Sequence, residues 1–315
     1  MLIQCRKLGL RRYAFLDSVD ASSIVIVGTG RLAHGLAWIL KEKGLRPFLW
    51  GRKGSYPVSV SIEADGKTHR LELPALQAKD LKQVKLLFFA LKAYDLAEGL
   101  KQHLPFFPKG IPVIPVGNGA VDGIIEALAP ELGTFAWRLG VTTLAVTRLG
   151  EQSFSIRGTS AKLVWGSFFC SDSEPTPIEA QLTATGAFFI WTRDPFPAYR
   201  KKWLFNTTLN SIVGADRLPQ NGKVLRKRHK LMMVFSEAYA LGEELWGSWE
   251  QPPEEIFTEL LTLIELTSQN ENSIVGDLKE GRPTETDYLA GVANRFDGYP
   301  ILKDLNQKLS EPLIH

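Results

Sequence analysis

Lys202, Asn206 and Asn210 recur every fourth residue, the interval that stacks side chains on one face of a helix. Their neighbours Trp203, Leu204, Phe205, Leu209, Ile212 and Val213 are apolar, so the segment reads as a largely buried helix with one polar stripe. Burying an ammonium and two amides costs on the order of several kcal/mol unless each finds a partner. Such a stripe has a chemical use. A desolvated ammonium is a better acid near neutral pH, and amides can hold a polar ligand. The plainer alternative is a helix ending in a solvated lysine, and Lys201 suits the first position as well as Lys202 does.

A second constellation lies near the N-terminus. Gly28-Thr29-Gly30-Arg31-Leu32-Ala33 follows the β-branched run Ser23 to Val27 and precedes a helical pattern with Leu32, Leu36, Ile39 and Leu40 on one side. A strand, a Gly-x-Gly-x-x-Ala turn and a helix form the dinucleotide fingerprint. The first glycine allows the tight turn and the second lets the backbone approach a pyrophosphate. The helix start then supplies free N–H groups and a favourable dipole. The next strand, Pro47 to Trp50, runs on into Gly51-Arg52-Lys53. An acidic residue there would favour a ribose 2′-hydroxyl; two cations favour a 2′-phosphate, hence NADP(H). Solvated surface charge is the competing explanation for Arg52 and Lys53.

The elements that must position these groups fall into two textures. Up to about Thr192 the chain alternates strands and helices, with buried parallel strands expected at Leu86–Ala90 and Ile111–Val116. Alternation in 58–62 and 69–73 around Asp65-Gly66 predicts an antiparallel hairpin. A second hairpin-like segment is expected from Ser153 to Trp165, turning near Gly158. Beyond that, helical periodicity covers 203–213, 224–246, 253–267 and 285–295, with no convincing strand. Pro195 and Pro197 mark the expected break. The expected organisation is an extension over 1–22, a nucleotide-binding domain over 23–192 and a helical domain over 193–315.

Composition narrows the function classes. The chain has 315 residues, 44% of them hydrophobic, and a formal charge of +3, which suits an anionic small ligand without implying nucleic acid or membrane. Cys5 and Cys170 are far apart, and the histidines lack ligand spacing, so neither a disulfide framework nor a metal site is expected. No apolar run reaches the length of a membrane span. The first twenty residues lack a signal-peptide core, and a reducing cytoplasm is the expected setting. The basic group Lys223, Arg226, Lys227, Arg228 and Lys230 lacks interleaved aromatics and reads as a solvated face.

Taken together, the pieces resemble the ketopantoate reductase (2-dehydropantoate 2-reductase) family from Ser23 onward. The resemblance is carried, in order, by Gly28–Ala33, Leu91-Lys92-Ala93, Asn118-Gly119 and Gly140-Val141-Thr142-Thr143. It continues through Lys202, Asn206 and Asn210 to a block with Ser273, Asp277 and Thr284-Glu285-Thr286-Asp287-Tyr288. It implies an α/β Rossmann N-terminal domain followed by an all-α domain like the C-terminal domain of 6-phosphogluconate dehydrogenase, with the site in the cleft between them. It implies Lys202 as proton donor and Glu285 as the acid across the cleft near cofactor and substrate. Asn118, Asn206, Asn210, Asn221 and Ser273 correspond to substrate positions. Lys92 and Asn118 correspond to cofactor-side positions beside the glycine loop.

The implied reaction is NADPH-dependent reduction of ketopantoate, in pantothenate and coenzyme A biosynthesis, by a cytoplasmic enzyme compatible with a homodimer. Departures exist: Leu144 stands where the family often has histidine, and Gly117 precedes Asn118 where histidine or glutamine is frequent. They leave room for another 2-oxo acid. An imine- or opine-type reductase and a non-catalytic NADP(H) sensor are the rival readings; the stripe with Glu285 speaks against the first, and the intact Lys202 against the second. Thr284-x-x-Asp287 also fits a capping box, which gives Glu285 a competing role as a helix-start residue.

Overall fold

A computed structural model describes residues 24–157, 161–169 and 173–310. The expected extension 1–22, and the expectations resting on Ser23, Gly158, Cys5, Cys170 and His315, lie outside the described residues. The strands, in chain order, are β1 (Ile24–Val27), β2 (Pro47–Gly51), β3 (Gly54–Ser55), β4 (Val58–Ala64), β5 (Lys67–Leu73) and β6 (Leu86–Phe89). They continue with β7 (Pro112–Pro115), β8 (Ala136–Thr142), β9 (Ala145–Gly150), β10 (Ser153–Arg157), β11 (Leu163–Ser167) and β12 (Phe189–Trp191). The helices are α1 (Arg31–Glu42), α2 (Ala93–His103), α3 (Asp122–Leu132), α4 (Pro177–Ala184), α5 (Phe196–Ala215), α6 (Arg228–Trp246), α7 (Pro253–Leu266), α8 (Ser273–Lys279) and α9 (Pro300–Ser310).

Eight strands form one sheet in the order β12-β11-β8-β7-β6-β1-β2-β3. β1 is fully buried and pairs in parallel with β2 on one side and β6 on the other. The crossover leaves β1 by α1 towards β2, so the order reverses between β1 and β6. A crevice opens there beyond the carboxyl ends of the strands, where ligands bind in open α/β sheets.

A four-stranded annex, β5-β4-β10-β9, packs over α1. The expected hairpin is β4–β5, with Asp65 and Gly66 both at positive φ (50° and 72°), the pairing a tight type I′ turn requires. His34 on α1 stacks on Phe154 at 4.4 Å. The second expected hairpin is corrected. β10 pairs with β9 and with β4, whereas β11 pairs with β8 and β12 in the main sheet. Ser153–Arg157 and Leu163–Ser167 both alternate, and alternation cannot say which partner each strand takes.

After β12 the described chain is helical. Pro195 and Pro197 do not interrupt it; they sit at the N-cap and within the first turn of α5, where a missing N–H costs nothing. A 3-10 turn over Asn221–Lys227 precedes α6, so the helix expected from Val224 begins at Arg228. The helix expected over 285–295 is instead two 3-10 turns, Thr286–Tyr288 and Ala290–Arg295, separated at Leu289. The Tyr288 carbonyl is engaged by Ala120 N–H (2.8 Å) and Trp203 Nε1 (3.1 Å), and these tertiary bonds replace the helical ladder. Helices α4, α8 and α9 add to the expected set. Among the described residues no helix is long and apolar enough to cross a membrane.

The sheet is tied to the helices by a buried junction. Tyr199 Oη accepts from Val121 N–H (2.7 Å) and donates to Asp122 Oδ1 (2.8 Å), while Trp246 Nε1 donates to Asp122 Oδ2 (2.6 Å). Burial first, and then the neighbouring Asp122 charge, hold the Tyr199 phenol well above its ordinary pKa, so it remains a neutral donor. Asp122→Ala removes an acceptor from both aromatic groups and is expected to cost about 2–3 kcal/mol, read as a lower urea midpoint with Trp fluorescence. An unchanged midpoint would show that the junction does not hold the two parts together.

Candidate active site

The glycine loop closes on the end of β6. Gly28 has φ +136°, and a Cβ there would stand 2.5 Å from the Ala90 carbonyl oxygen, so only glycine permits this approach. Gly30 is the N-cap of α1 with no side-chain cap, and nothing stands within 4 Å of where its Cβ would be. The first N–H groups of α1 therefore have no partner within the helix and face open space beside no first-turn acid. This cradle fits a dinucleotide pyrophosphate. Gly30, Arg31 and Leu32 line the cleft; Ala33 is buried, and the Thr29 methyl lies beside Gly51. Arg52 and Lys53 are exposed in the β2–β3 turn, outside the cleft lining, and have no partner among the described residues.

The cleft is a cavity of about 900 Å³ between the strand ends and α5, α7 and α8. Two columns of α5 face it. One carries Lys202, Asn206 and Asn210, and the other Lys201, Phe205 and Leu209. The structure separates the lysine twins. Lys201 Nζ is held by Gln251 Oε1 (2.6 Å) and Glu259 Oε2 (2.9 Å), whereas Lys202 has no hydrogen-bond partner among the described residues. Burial lowers the Lys202 pKa to about 8, against the opposing pull of the Glu285 carboxylate.

Glu285 collects the cofactor-side and helix-side groups. Its Oε1 accepts the Ala93 N–H (3.1 Å) at the start of α2, and its Oε2 accepts Lys92 Nζ (3.2 Å) and Asn118 Nδ2 (3.2 Å). Asn206 Nδ2 reaches Asn118 Oδ1 at 3.3 Å, so the stripe and the carboxylate share one network. Glu285 makes no side-chain cap to its own 3-10 turn; its acid accepts the first N–H of α2 across the cleft instead. Burial by itself would lower the Lys92 pKa, but Glu285 and Asp277 outweigh it and raise it.

A second polar cluster closes the far end of the stripe. Asn272 Nδ2 donates to Asn210 Oδ1 (2.7 Å) and Asn221 Oδ1 (3.0 Å), and Asn221 Nδ2 reaches Thr267 Oγ1 at 3.4 Å. Ser273, the first residue of α8, lines the cavity beside them. Asn221 thus joins Asn210 through Asn272. The centre of the cluster, Asn272, escaped the sequence reading. Its signal was local: an asparagine before a helix, whose Oδ1 accepts the Ile274 N–H. Also missed were Trp249 and Gln251, since nothing in a linear pattern says that the α6–α7 loop folds over α5, and Thr267, the C-cap of α7. Leu144 and Gly117 line the cavity, where an imidazole or amide was the familiar expectation.

Residues 24–168 match the family profile described as ketopantoate reductase PanE/ApbA, and residues 197–296 match the profile of its C-terminal part. The chain belongs to the ketopantoate reductase family. A 2-dehydropantoate 2-reductase of Shigella flexneri is 24% identical over 290 residues, spanning 91% of this chain and 93% of the relative. Among solved structures, D-mandelate dehydrogenase with NADH and anilino(oxo)acetate superposes with TM-score 0.76 at 17% identity, covering 91% and 97% of the two chains. The dimeric ketopantoate reductase from Staphylococcus aureus gives 0.71 at 13% identity, covering 91% and 97%. In family terms the architecture is the expected mixed α/β sheet domain followed by a helical C-terminal domain, and the chain is an oxidoreductase of ketopantoate reductase type.

The Glu285 charge raises the Lys202 pKa, so its removal must lower it. In Glu285→Gln the pH midpoint for modification of Lys202 by a lysine reagent, followed by mass spectrometry, is expected to fall below that of the unaltered protein. A midpoint that stays or rises would dissociate the two groups.

Proposed function

We propose that the protein reduces ketopantoate to pantoate with NADPH. The observation that carries this reading is the half-buried Lys202, whose ammonium has no hydrogen-bond partner among the described residues and faces a cleft that also holds a dinucleotide cradle and a row of amides. NADPH, when bound, supplies the hydride for the carbonyl carbon. Lys202 donates a hydrogen bond to the carbonyl oxygen and then passes its proton to the developing alkoxide. Asn206 and Asn118 orient the substrate on that face. Asn210, Asn221 and Ser273 take its carboxylate and hydroxyl groups at the polar end. Glu285 holds Lys92 and Asn118 in register and keeps the Lys202 proton available. Gly28 to Ala33 with Lys92 form the phosphate cradle, and Arg52 and Lys53 receive the 2′-phosphate.

Within this proposal residues 23–192 bind the cofactor and 193–315 supply the proton donor and most substrate contacts. The enzyme acts in the cytoplasm on the route to pantothenate, as a homodimer like its Staphylococcus aureus relative. A second reading, reduction of a different 2-oxo acid, is favoured by the apolar Leu144 in the cleft and by the D-mandelate dehydrogenase neighbour.

Three outcomes test the proposal. Lys202→Ala should lower kcat/KM for ketopantoate about 100- to 10,000-fold with NADPH affinity retained; near-normal turnover would end the mechanism. The ammonium form is the acid, present below the Lys202 pKa of about 8 and lost above it. Reduction should therefore hold at neutral pH and decline as pH rises through about 8, with pantoate oxidation rising over the same range. Exchanging Arg52 and Lys53 for alanine should weaken NADPH about tenfold or more and leave NADH nearly unchanged. Equal binding of both cofactors by the unaltered protein would refute the 2′-phosphate assignment.

A further inference from the structure

Asp277 has no part in the mechanism above, yet its carboxylate is heavily engaged just behind the cleft lining, where it meets Arg31 and Lys92. The side chain is 1% exposed. Its Oδ2 accepts Lys92 Nζ at 2.7 Å, and its Oδ1 accepts Arg282 Nη2 at 2.9 Å, Arg282 Nε at 3.2 Å and Arg31 Nη2 at 3.1 Å. These partners are not equivalent. Arg282 lies in the same short segment as Asp277 and is shared with Glu280. Lys92 is fixed from its other side by Glu285. Arg31 alone has its backbone at the glycine loop, as the first residue of α1, and its side chain is 24% exposed. α8 also passes close to it: a Cβ on Gly276 would stand at an ordinary contact distance, 3.6 Å, from Arg31 Nη1.

A buried carboxylate must keep compensating donors. Asp277 keeps them from Lys92 and Arg282 if Arg31 leaves, so Arg31 is the partner that can move at least cost. It is also the cation standing at the mouth of the phosphate cradle. We propose that Asp277 is a resident stand-in for the cofactor's pyrophosphate. Without dinucleotide it holds Arg31 and ties α8 to the glycine loop; an arriving pyrophosphate takes Arg31 over and releases that tie. Asp277 is thus a positioning residue, acting through Arg31, that couples cofactor binding to the contact between the two domains. The inference rests on the reading of the glycine loop as an NADP(H) site.

The test is a binding cycle on the full-length protein, with NADPH titrated by fluorescence into the unaltered chain, Arg31→Gln, Asp277→Asn and the double variant. Asp277→Asn frees Arg31, so NADPH should bind about three- to tenfold tighter, and this gain should vanish when Arg31→Gln is added. Weaker binding in Asp277→Asn, or a gain that survives undiminished in the double variant, would overturn the inference. Arg31→Gln, at a partly exposed position, gives a separate answer should Asp277→Asn fail to fold. Its cofactor-free thermal midpoint should drop by about 2 °C as the interdomain tie is lost, and an unchanged midpoint overturns the inference. If the unaltered chain bound no NADPH, the proposed function would fall together with this inference; binding with an additive cycle would remove the inference alone.

Discussion

The structure turns on one buried carboxylate. Glu285 is 4% exposed, and an ionised acid at that depth is tolerable only with charged or hydrogen-bonding partners. Its own segment does not supply them. They come from the start of α2 and the end of β7, as the Ala93 N–H, Lys92 and Asn118. The carboxylate therefore dictates how the helical part sits against the sheet. The donors that satisfy it belong to the two loops that border the crevice at the strand ends.

Around that acid the electrostatics sort the lysines into different tasks. Lys92 is gripped by Asp277 and Glu285, which raise its pKa against desolvation, and it behaves as a permanent positive charge. Lys201 is absorbed by Gln251 and Glu259 at the rim. Lys202 feels Glu285 only as a charge and has no hydrogen bond to offset its burial, so it titrates at about 8. Residue type is constant across the three, and environment alone separates two ion-paired cations from one whose pKa is lowered towards neutrality. The buried amides give the far end of the stripe similar order: Asn272 donates to two neighbours at once, which holds Asn210 and Asn221 in place.

Most of what was readable in the sequence carried a local signal. The βαβ unit announced itself because a buried parallel strand, a glycine turn and an amphipathic helix each leave a mark within a few residues. The Asp65-Gly66 hairpin and the α5 stripe did so for the same reason. Strand pairing was less accessible. Ser153–Arg157 and Leu163–Ser167 carry alternation and little else, and their membership in two different sheets depends on β4, about ninety residues earlier, and on β8. The helical pattern over 285–295 misled because its carbonyl at Tyr288 is spent on Ala120 and Trp203, a contact no window can contain.

What the sequence determined by itself is the set of chemical groups and the local frames that carry them: the cradle at Gly28 to Ala33, the cations after β2, and a helix with lysine and two asparagines on one side. The tertiary structure alone decided which lysine lacks a hydrogen-bond partner among the described residues, that Glu285 caps α2 and not its own turn, that Asn272 lines the cleft, and that Asp277 gathers Arg31, Lys92 and Arg282. The reason is physical. Periodicity and capping act over one or two turns of chain, whereas desolvation and ion pairing depend on which distant segments exclude water together.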